Sequence, residues 1–268
     1  MGQLTFDIQA HRGGAGLRRE NTLRAFANAL EIGVSTLETD VHISLDGVAV
    51  LSHDRVLPDG EFISWLPRES LALDTLADLL ALVRERSAHD VRLNVETKFD
   101  VLHPDEVAPR ERFVEVVVGT LRDADFAERA SIQSFDWAVL DLVHRAEPAL
   151  RLNVLTNTSY LEIGLPGASP WLAGVDVDEY GGDVVRAASN RGYAALSPRH
   201  SLITGAMVEE AHAAGLAVLP YTVDEPSVMD HLIELQVDGL ITNRPDIARQ
   251  VVQSRGLALP RRYPPAGG

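Results

Sequence analysis

Apolar residues along this chain follow two alternating patterns. Short runs rich in aliphatic and β-branched residues predict strands, at 4–10, 35–43, 91–97, 130–134, 151–155, 193–197, 216–222 and 238–242. Between many of them, apolar positions recur at the spacing of a helix, as in Leu23, Phe26 and Leu30. These stretches predict helices at 22–32, 75–86, 109–122, 205–214 and 225–236.

Eight strands that alternate with helices predict a TIM (β/α)8 barrel, and an open doubly wound sheet is the main alternative. The glycines at 13–16 match neither GxGxxG nor the P-loop pattern, which disfavours a nucleotide-binding form of the open sheet. We expect one barrel domain over residues 1–255. A short insertion at 54–73 would follow a hairpin of the second strand, and a flexible tail would cover 256–268.

Charge and composition narrow the possible partners. Acidic residues outnumber basic ones by 39 to 24, so nucleic acid and anionic lipid surfaces are not expected partners. The chain has no cysteine, which excludes disulfides, thiolate nucleophiles and iron–sulfur clusters. It shows neither a signal peptide pattern nor an apolar run long enough to span a membrane, so we expect a cytoplasmic protein without a stable membrane anchor. The oligomeric state stays open.

Polar side chains cluster where the first three predicted barrel strands end, which is where TIM barrels carry their active sites. The first strand stops at His11, and the two-residue period of the second puts Glu38 and Asp40 on one face. Neighbouring carboxylates repel unless a cation lies between them or one is protonated. The next barrel strand ends with Glu96 and Lys98 on a shared face.

A hairpin is predicted to return a second histidine to these carboxylates. Asp46-Gly47 lies between two alternating segments and is typical of a two-residue hairpin turn. That turn would place His53 opposite Asp40.

The side chains gathered by this reading are His11, Arg12, Glu38, Asp40, His53, Glu96 and Lys98. Three carboxylates favour a hard divalent cation, Mg²⁺ or Ca²⁺. Two histidines that are not metal ligands suit the roles of general acid and general base. The positively charged side chains of Arg12 and Lys98 suit the binding of a phosphate. Together they favour phosphodiester cleavage, while a serine hydrolase with a GxSxG motif is disfavoured because that motif is absent. Asn21 and Thr22 are interpreted as helix N-cap residues, and His42 as structural.

The same residues resemble a known family, the glycerophosphodiester phosphodiesterases. The matching segments are His11-Arg12-Gly13, Glu20-Asn21-Thr22-Leu23, Glu38-x-Asp40-Val41, His53-Asp54, Asn94-Val95-Glu96-Thr97-Lys98, Thr222-Val223 and Asp238-Gly239-Leu240-Ile241-Thr242. The resemblance runs from the first predicted strand to the eighth.

This resemblance implies a TIM barrel that hydrolyses small glycerophosphodiesters to an alcohol and sn-glycerol 3-phosphate. Mapped onto this chain, it implies one divalent cation, Mg²⁺ or Ca²⁺, on Glu38, Asp40 and Glu96. His11 and His53 would be the acid–base pair, in an order left open, and the cations Arg12 and Lys98 would hold the phosphate. The path proposed for the family uses the glycerol 2-hydroxyl as an internal nucleophile, and water then opens a cyclic phosphate.

Departures from the family pattern leave the alcohol unspecified. The family usually has Pro, Trp and Asn where this chain has Arg19, Tyr221 and Asp224. We expect Tyr221 to line the substrate slot, and the short insertion suggests room for a larger leaving group.

Two alternatives to this function stay open. One is a related enzyme that acts on lysophospholipids and releases a cyclic phosphate. The other is a non-catalytic barrel that binds phosphorylated ligands, although binding alone does not require two proton-transfer groups.

Overall fold

The computed structural model describes residues 6–265. Its strands are β1 Asp7–Ala10, β2 Thr36–Ile43, β3 Ala49–Leu51, β4 Arg92–Thr97, β5 Ala130–Ser134, β6 Arg151–Thr156, β7 Ala195–Pro198, β8 Ala217–Val218 and β9 Gly239–Thr242. Its α-helices are α1 Leu23–Ile32, α2 Leu76–Glu85, α3 Arg110–Asp123, α4 Trp137–Ala146, α5 Thr158–Leu161, α6 Val184–Ser189, α7 Gly205–Ala213, α8 Pro226–Glu234 and α9 Pro245–Ser254.

The strands form a parallel barrel surrounded by these helices. Neighbours pair in the order β8-β7-β6-β5-β4-β2-β1-β9, and β3 pairs antiparallel with β2. Backbone hydrogen bonds join β8 to β9 and close the ring: Asp238 N–H donates to the Val218 carbonyl, and Ile241 N–H to that of Pro220, both at 3.0 Å. This confirms the predicted TIM barrel. The predicted strand at 216–222 is reduced to a two-residue ladder, and Pro220 has no N–H to extend it.

The outward faces of the strands build the hydrophobic core against the helices. Leu37 and Val41 of β2 are buried in one cluster with Phe26 of α1 and Leu79 of α2. The two helices begin where the sequence predicts, because Thr22 caps α1 and Thr75 forms a capping box with Asp78 at α2. Within residues 6–265, no helix has both the length and the apolar character needed to cross a bilayer.

The inside of the barrel holds a layer of neutral polar side chains, here called the amide layer: Gln9, Asn94, Ser131, Gln133 and Asn153. The Asn94 amide donates to Gln9 Oε1 at 2.9 Å and to Gln133 Oε1 at 2.8 Å. Its Oδ1 accepts from Ser131 Oγ at 3.0 Å and from Asn153 Nδ2 at 3.2 Å. Each amide therefore satisfies another, which removes most of the cost of burying them.

The β2–β3 hairpin differs by one residue from the predicted register. The ladder pairs Val41 with Leu51, and Ser44 N–H donates to the Val48 carbonyl, so the loop has three residues rather than two. Gly47 takes a positive φ of 82° as the last of them, as in a type I turn followed by a left-handed residue. Asp40 consequently faces Ser52, and the prediction that His53 lies directly opposite Asp40 is wrong.

The insertion and the tail both rest on the barrel. In residues 54–73, Ile63 and Leu71 pack with Val50 in a small separate cluster. Tyr263 in the tail is buried, and its N–H donates to the Leu30 carbonyl at 2.8 Å while its hydroxyl donates to Asp90 at 2.9 Å. The prediction of a flexible tail did not anticipate this anchor, because only the folded barrel brings α1 and Asp90 beside Tyr263. Residues 266–268 lie outside the described part.

Candidate active site

Three buried carboxylates meet at the carboxyl ends of β2 and β4. Asp40 and Glu96 are neighbours across the parallel ladder, and Glu38 lies two residues earlier on the same face. One oxygen of each lies within 4.8 Å of the others. Glu38 and Asp40 are fully buried and Glu96 is 7% exposed. The structure thus brings together the three carboxylates that were predicted from the sequence as metal ligands. These three side chains are here called the acid triad.

Glu38 is fixed through both of its oxygens. The backbone N–H of Arg12 donates to Oε2 at 2.8 Å, and Gln133 Nε2 donates to Oε1 at 2.8 Å. The first contact depends on a left-handed turn at Arg12, whose φ is 52°. Such a conformation is unfavourable for a residue with a side chain and often marks a functional site.

Asp40 and Glu96 are held by cations. Arg12 Nε lies 3.0 Å from Asp40 Oδ2, and Lys98 Nζ lies 2.8 Å from Glu96 Oε1 and 3.7 Å from Asp40 Oδ1. Asn21 Nδ2 adds a hydrogen bond to Asp40 Oδ2 at 2.9 Å. Three carboxylates therefore face two cations in a largely buried cluster.

This imbalance displaces the pKa values of the acid triad in different directions. Burial and the charge of Asp40 raise the pKa of Glu38 to about 8. Burial, with Asp40 and Glu38, raises the pKa of Glu96 to about 7 against the opposing effect of Lys98. Burial alone would raise the pKa of Asp40, but Lys98 and Arg12 outweigh it and hold that pKa below its ordinary value. Such opposed shifts within one cluster are typical of functional sites.

The acid triad fits a divalent cation. Among the described residues, Asp40 Oδ1 is buried without a hydrogen-bond partner, which is costly unless a ligand engages it. The three candidate ligands are all carboxylates, and oxygen ligands are those that Mg²⁺ and Ca²⁺ prefer. A cation here would also remove the repulsion that raises the pKa values of Glu38 and Glu96.

His11 presents one defined nitrogen to this site. Its Nδ1 lies 2.7 Å from Asn243 Oδ1, and its Nε2 lies 4.0 Å from Glu38 Oε2. The Asn243 amide is oriented by Asp224, which accepts from its Nδ2 and from its backbone N–H, both at 2.8 Å. Because a carboxylate only accepts, the amide oxygen must face His11. In neutral His11, Nδ1 then carries the proton and Nε2 is free to accept one.

His53 reaches the same site from the end of the hairpin. Its Nδ1 lies 2.7 Å from the Asp54 carboxylate, so its Nε2 is also left free. Burial lowers the pKa of both histidines, helped by Arg12 at His11 and by Lys98 at His53, where Asp54 opposes the shift. His42 is buried, lies 3.3 Å from the His53 carbonyl through Nε2, and burial lowers its pKa to about 4. Its structural interpretation fits these contacts.

The cavity above the acid triad has two lobes that share His53, Glu96, Lys98 and Phe135. The polar lobe, of about 260 Å³, adds His11, Arg12, Asn157, Arg199, Tyr221 and Thr222. The aromatic lobe, of about 450 Å³, adds Asp54, Arg55, Phe99, Asp100, Tyr160 and Trp171. All seven side chains gathered from the sequence therefore surround this cavity or lie directly beneath it.

Tyr221 lines the polar lobe, and its predicted contact with the substrate stays a prediction. Its hydroxyl donates to the Thr156 carbonyl at 3.1 Å, and its ring meets Phe135 edge-on at 5.9 Å between centroids.

Sequence reasoning missed several residues that orient the site. Thr22 is the N-cap of α1, and Asn21 is not a cap. Asn21 has a φ of 52°, accepts a hydrogen bond from Thr39 Oγ1 through its amide oxygen, and donates one to Asp40 through its amide nitrogen. Gln133 and Asn243 end barrel strands, which is the signal that could have found them. Tyr160 and Trp171 come from the long segment between β6 and α6, whose sequence gives no sign that it reaches the cavity.

Comparisons with known proteins show the family of this chain. The model of the glycerophosphoryl diester phosphodiesterase family matches residues 11–247. A Mycobacterium tuberculosis protein named "Probable glycerophosphodiester phosphodiesterase 2" is 31% identical over 274 residues, covering 92% of this chain and 90% of its own length.

Solved structures share the fold. A crystal structure from Silicibacter pomeroyi superposes with a TM-score of 0.81 at 26% identity, covering 96% of both chains. A phosphodiesterase from Oleispira antarctica, solved in complex with the product sn-glycerol-3-phosphate, gives 0.72 at 20% identity, covering 93% of this chain and 97% of its own. Since the family model spans most of the barrel and includes both histidines and the acid triad, the chain belongs to the glycerophosphoryl diester phosphodiesterase family.

Proposed function

We propose that this protein is a divalent-metal-dependent phosphodiesterase that hydrolyses glycerophosphodiesters to an alcohol and sn-glycerol 3-phosphate, with His11 as the first general base and His53 as the first general acid. One observation carries the proposal: two histidines present free Nε2 atoms to a single cavity above three clustered, buried carboxylates. The family membership and the product bound by the Oleispira antarctica relative support the substrate class.

Glu38, Asp40 and Glu96 would hold the cation, Mg²⁺ or Ca²⁺. When bound, it would supply positive charge to the phosphate oxygens and to the attacking hydroxyl, lowering the pKa of that hydroxyl. Arg12 and Lys98 add two fixed cations beside it, and both are buried enough to interact strongly with a phosphate. An anionic diester is thus bound locally by a protein whose total charge is strongly negative.

His11 is the better base of the two histidines. Its Nδ1 proton is held by a neutral amide oxygen, and burial keeps the ring uncharged, so Nε2 accepts a proton without first losing one. We assign it the proton of the glycerol 2-hydroxyl. The oxygen of that hydroxyl then bonds to phosphorus, and proximity within one molecule favours this attack over that of a free water.

His53 is the better acid. Burial lowers its pKa as it does that of His11, but its Nδ1–H donates to the Asp54 carboxylate, which opposes this shift and favours the protonated ring, whereas His11 faces a neutral amide. As the bond from phosphorus to the alcohol oxygen breaks, Nε2 of His53 gives its proton to that oxygen, and the alcohol leaves. In the second step a water attacks phosphorus in the cyclic phosphate, and His53 takes the proton of that water. The bond from phosphorus to the 2-oxygen breaks, and His11 returns its proton to the 2-oxygen. Both histidines end as they began.

The direct test is release of sn-glycerol 3-phosphate from glycerophosphocholine and glycerophosphoethanolamine in Mg²⁺, Ca²⁺ or EDTA. We expect release that needs the metal and falls by about 10³-fold in His11→Ala and in His53→Ala. A control variant, His144→Ala, changes an exposed histidine of α4 that lines neither lobe and should retain activity. Release that persists in EDTA would contradict the metal dependence, and release unchanged in either histidine variant would contradict its role.

The same experiment separates the alternatives. Phosphorus NMR of the product distinguishes a cyclic phosphate, expected from a lysophospholipid enzyme of the related kind, from the open monoester expected here. A folded, metal-binding protein that binds diesters without turning them over would be the non-catalytic barrel.

A further inference from the structure

The two oxygens of Asp40 have different surroundings. Oδ2 accepts a hydrogen bond from Asn21 Nδ2 at 2.9 Å and lies 3.0 Å from Arg12 Nε. Oδ1 has no hydrogen-bond partner within the described residues, and Lys98 Nζ lies 3.7 Å from it. Asp40 is fully buried, so these neighbours determine which of its oxygens is left to bind a ligand, namely Oδ1.

The Asn21 amide is oriented by its own contacts. Asn21 is 5% exposed, and its Oδ1 accepts hydrogen bonds from Thr39 Oγ1 at 2.9 Å and from the Asp40 N–H at 3.3 Å. The Asp40 N–H only donates and the Asp40 carboxylate only accepts, so the amide oxygen must face the first and the amide nitrogen the second. A flipped amide would lose both of these hydrogen bonds.

A left-handed backbone conformation brings Asn21 to this position. Its φ is 52°, as is that of Arg12, and the Asn21 N–H donates to the Arg12 carbonyl at 3.0 Å. Asparagine is one of the few residues with a side chain that adopt this conformation readily. The hydrogen bond joins Asn21 to the turn from which the Arg12 N–H donates to Glu38 at 2.8 Å. Asn21 therefore supports two members of the acid triad, Asp40 directly and Glu38 through the backbone of Arg12.

Helix α1 does not require the Asn21 side chain. Thr22 is its N-cap and accepts from the Ala25 N–H at 3.2 Å. Asp74 Oδ2 accepts from the Leu23 N–H at 2.7 Å. These two residues already satisfy N–H groups of the first turn. A buried amide in a strained backbone conformation that the helix does not need points instead to the site that it contacts.

Occupation of Oδ2 limits how Asp40 can bind a cation. To bind through both oxygens, Asp40 would have to give up the Asn21 hydrogen bond and bring the cation beside the Arg12 guanidinium, which repels it. Binding through Oδ1 alone has neither cost. Ca²⁺ takes more ligands than Mg²⁺, at longer distances, and often takes both oxygens of one carboxylate. A carboxylate restricted to one oxygen therefore denies Ca²⁺ a ligand that Mg²⁺ does not require.

We propose that Asn21 is a positioning residue that restricts Asp40 to binding the cation through Oδ1 and thereby favours Mg²⁺ relative to Ca²⁺. Asn21 lines neither lobe of the cavity, so it acts through Asp40 and not on the substrate. This inference rests on the proposed function and adds the selectivity of the metal site, which the sequence leaves open between the two ions.

The test variant is Asn21→Gly, because glycine adopts the left-handed conformation without strain and the change removes only the side chain. Calorimetric titration of the metal-free protein with MgCl2 and with CaCl2 gives the two dissociation constants, and thermal melts establish that each variant is folded. We expect the Mg²⁺ affinity of Asn21→Gly to fall by about tenfold and the Ca²⁺ affinity by about twofold or less, so that the ratio shifts toward Ca²⁺ by about fivefold or more.

The matched control is Thr22→Ala, at the next position. Within the described chain the Thr22 hydroxyl bonds to the Arg19 carbonyl and the Ala25 N–H, and to no member of the acid triad. Loss of this N-cap lowers the stability of the same segment without touching Asp40. We expect the control to keep the wild-type ratio of Mg²⁺ and Ca²⁺ affinities.

Infrared difference spectra provide a readout that a change in stability does not move. The separation between the two stretching bands of a carboxylate depends on whether one or both oxygens bind the metal. The spectrum of Ca²⁺-loaded minus metal-free protein should therefore change in Asn21→Gly and stay as in the wild type in Thr22→Ala.

An unchanged affinity ratio in Asn21→Gly would overturn the inference and leave the proposed function intact. The same shift in Thr22→Ala, or a shift in Asn21→Gly without an infrared change, would overturn the positioning role. If the wild type binds neither cation, the metal dependence of the proposed function fails, and the inference fails with it.

Discussion

The barrel interior holds two layers of buried polar side chains that differ in kind. In the amide layer, neutral groups face one another, and the Asn94 amide alone makes four hydrogen bonds to its neighbours. In the acid triad, one layer higher, like charges are crowded, pKa values are displaced, and an oxygen of Asp40 has no hydrogen-bond partner within the described chain. Gln133 joins the two by donating to Glu38.

The difference separates structure from function. Buried polar groups that satisfy each other can be kept for stability and for a unique arrangement. Buried groups that do not satisfy each other cost stability and are retained where a ligand completes them. Substitutions in the two layers should therefore have opposite consequences for folding and for activity.

The largest expected effect comes from the acid triad. Glu38→Gln keeps the shape of the side chain and removes one ligand charge, so metal binding should be lost and kcat/KM should fall by about 10³-fold or more. Burial and Asp40 disfavour the charged form of Glu38, so removing that charge should offset the loss of one of its two accepted hydrogen bonds, and the metal-free variant at pH 8 should melt close to the metal-free wild type. Calorimetric metal titration and thermal melts check both parts. A variant that keeps its metal and its activity would contradict the assignment.

A substitution in the amide layer should lower stability strongly and activity only slightly. Asn94→Leu conserves approximate volume but removes the donor to Gln9 Oε1 and Gln133 Oε1 and one acceptor of Asn153 Nδ2, which should lower the free energy of unfolding by about 3 kcal/mol. The folded fraction should keep its metal and remain within about tenfold of wild-type activity. Glu38 keeps its hydrogen bond from Gln133, and only the bond from Asn94 to Gln133 is lost. Urea denaturation gives the stability. If the variant were as stable as the wild type but inactive, the two layers would not differ as described.

A smaller effect is expected from Asp224, which orients His11 through Asn243. Asp224→Ala releases the Asn243 amide, so the tautomer of His11 is no longer fixed, and kcat should fall by about 30-fold with KM and metal affinity little changed. The nitrogen NMR shifts of His11 should show a mixture of tautomers. Asp224→Asn, with the residue usual in the family, should retain more activity than Asp224→Ala. Equal losses in the two variants would argue against an orienting role.

The last prediction is a graded effect, the pH dependence of metal binding. The pKa values of Glu38 and Glu96 are raised to about 8 and about 7, so near neutrality a cation must displace protons from them. Metal affinity should therefore rise with pH, by up to about tenfold per unit for each proton displaced, and level off above pH 8.

The stability of the metal-free protein should change with pH in the opposite direction. A carboxyl with a raised folded pKa holds its proton more tightly folded than unfolded, so this stability falls as pH rises from about 4.5 towards 8. Thermal melts with and without Ca²⁺ at pH 6, 7 and 8 should diverge progressively. A metal-induced shift that is the same at all three would contradict the raised pKa values.

Much of the site could be predicted from the sequence because its residues lie on strands. The alternation along β2 and β4 places Glu38, Asp40 and Glu96 on the interior face whatever the details of packing. The hairpin register was less secure, because it depends on whether Gly47 closes a two- or three-residue loop. His53 nevertheless borders the cavity, since the chain leaves the ladder after Leu51.

What the sequence determined by itself is the barrel and the candidate site residues at its strand ends, namely the acid triad and the two histidines. Periodicity and strand ends are local properties, and the family resemblance adds to them. The tertiary structure alone decided which nitrogen of each histidine is free, which oxygen of Asp40 lacks a hydrogen bond within the described residues, and how the β6–α6 segment brings Tyr160 and Trp171 to the cavity. These features depend on contacts between residues far apart in the chain, such as Asn243 with His11, and no local pattern records them.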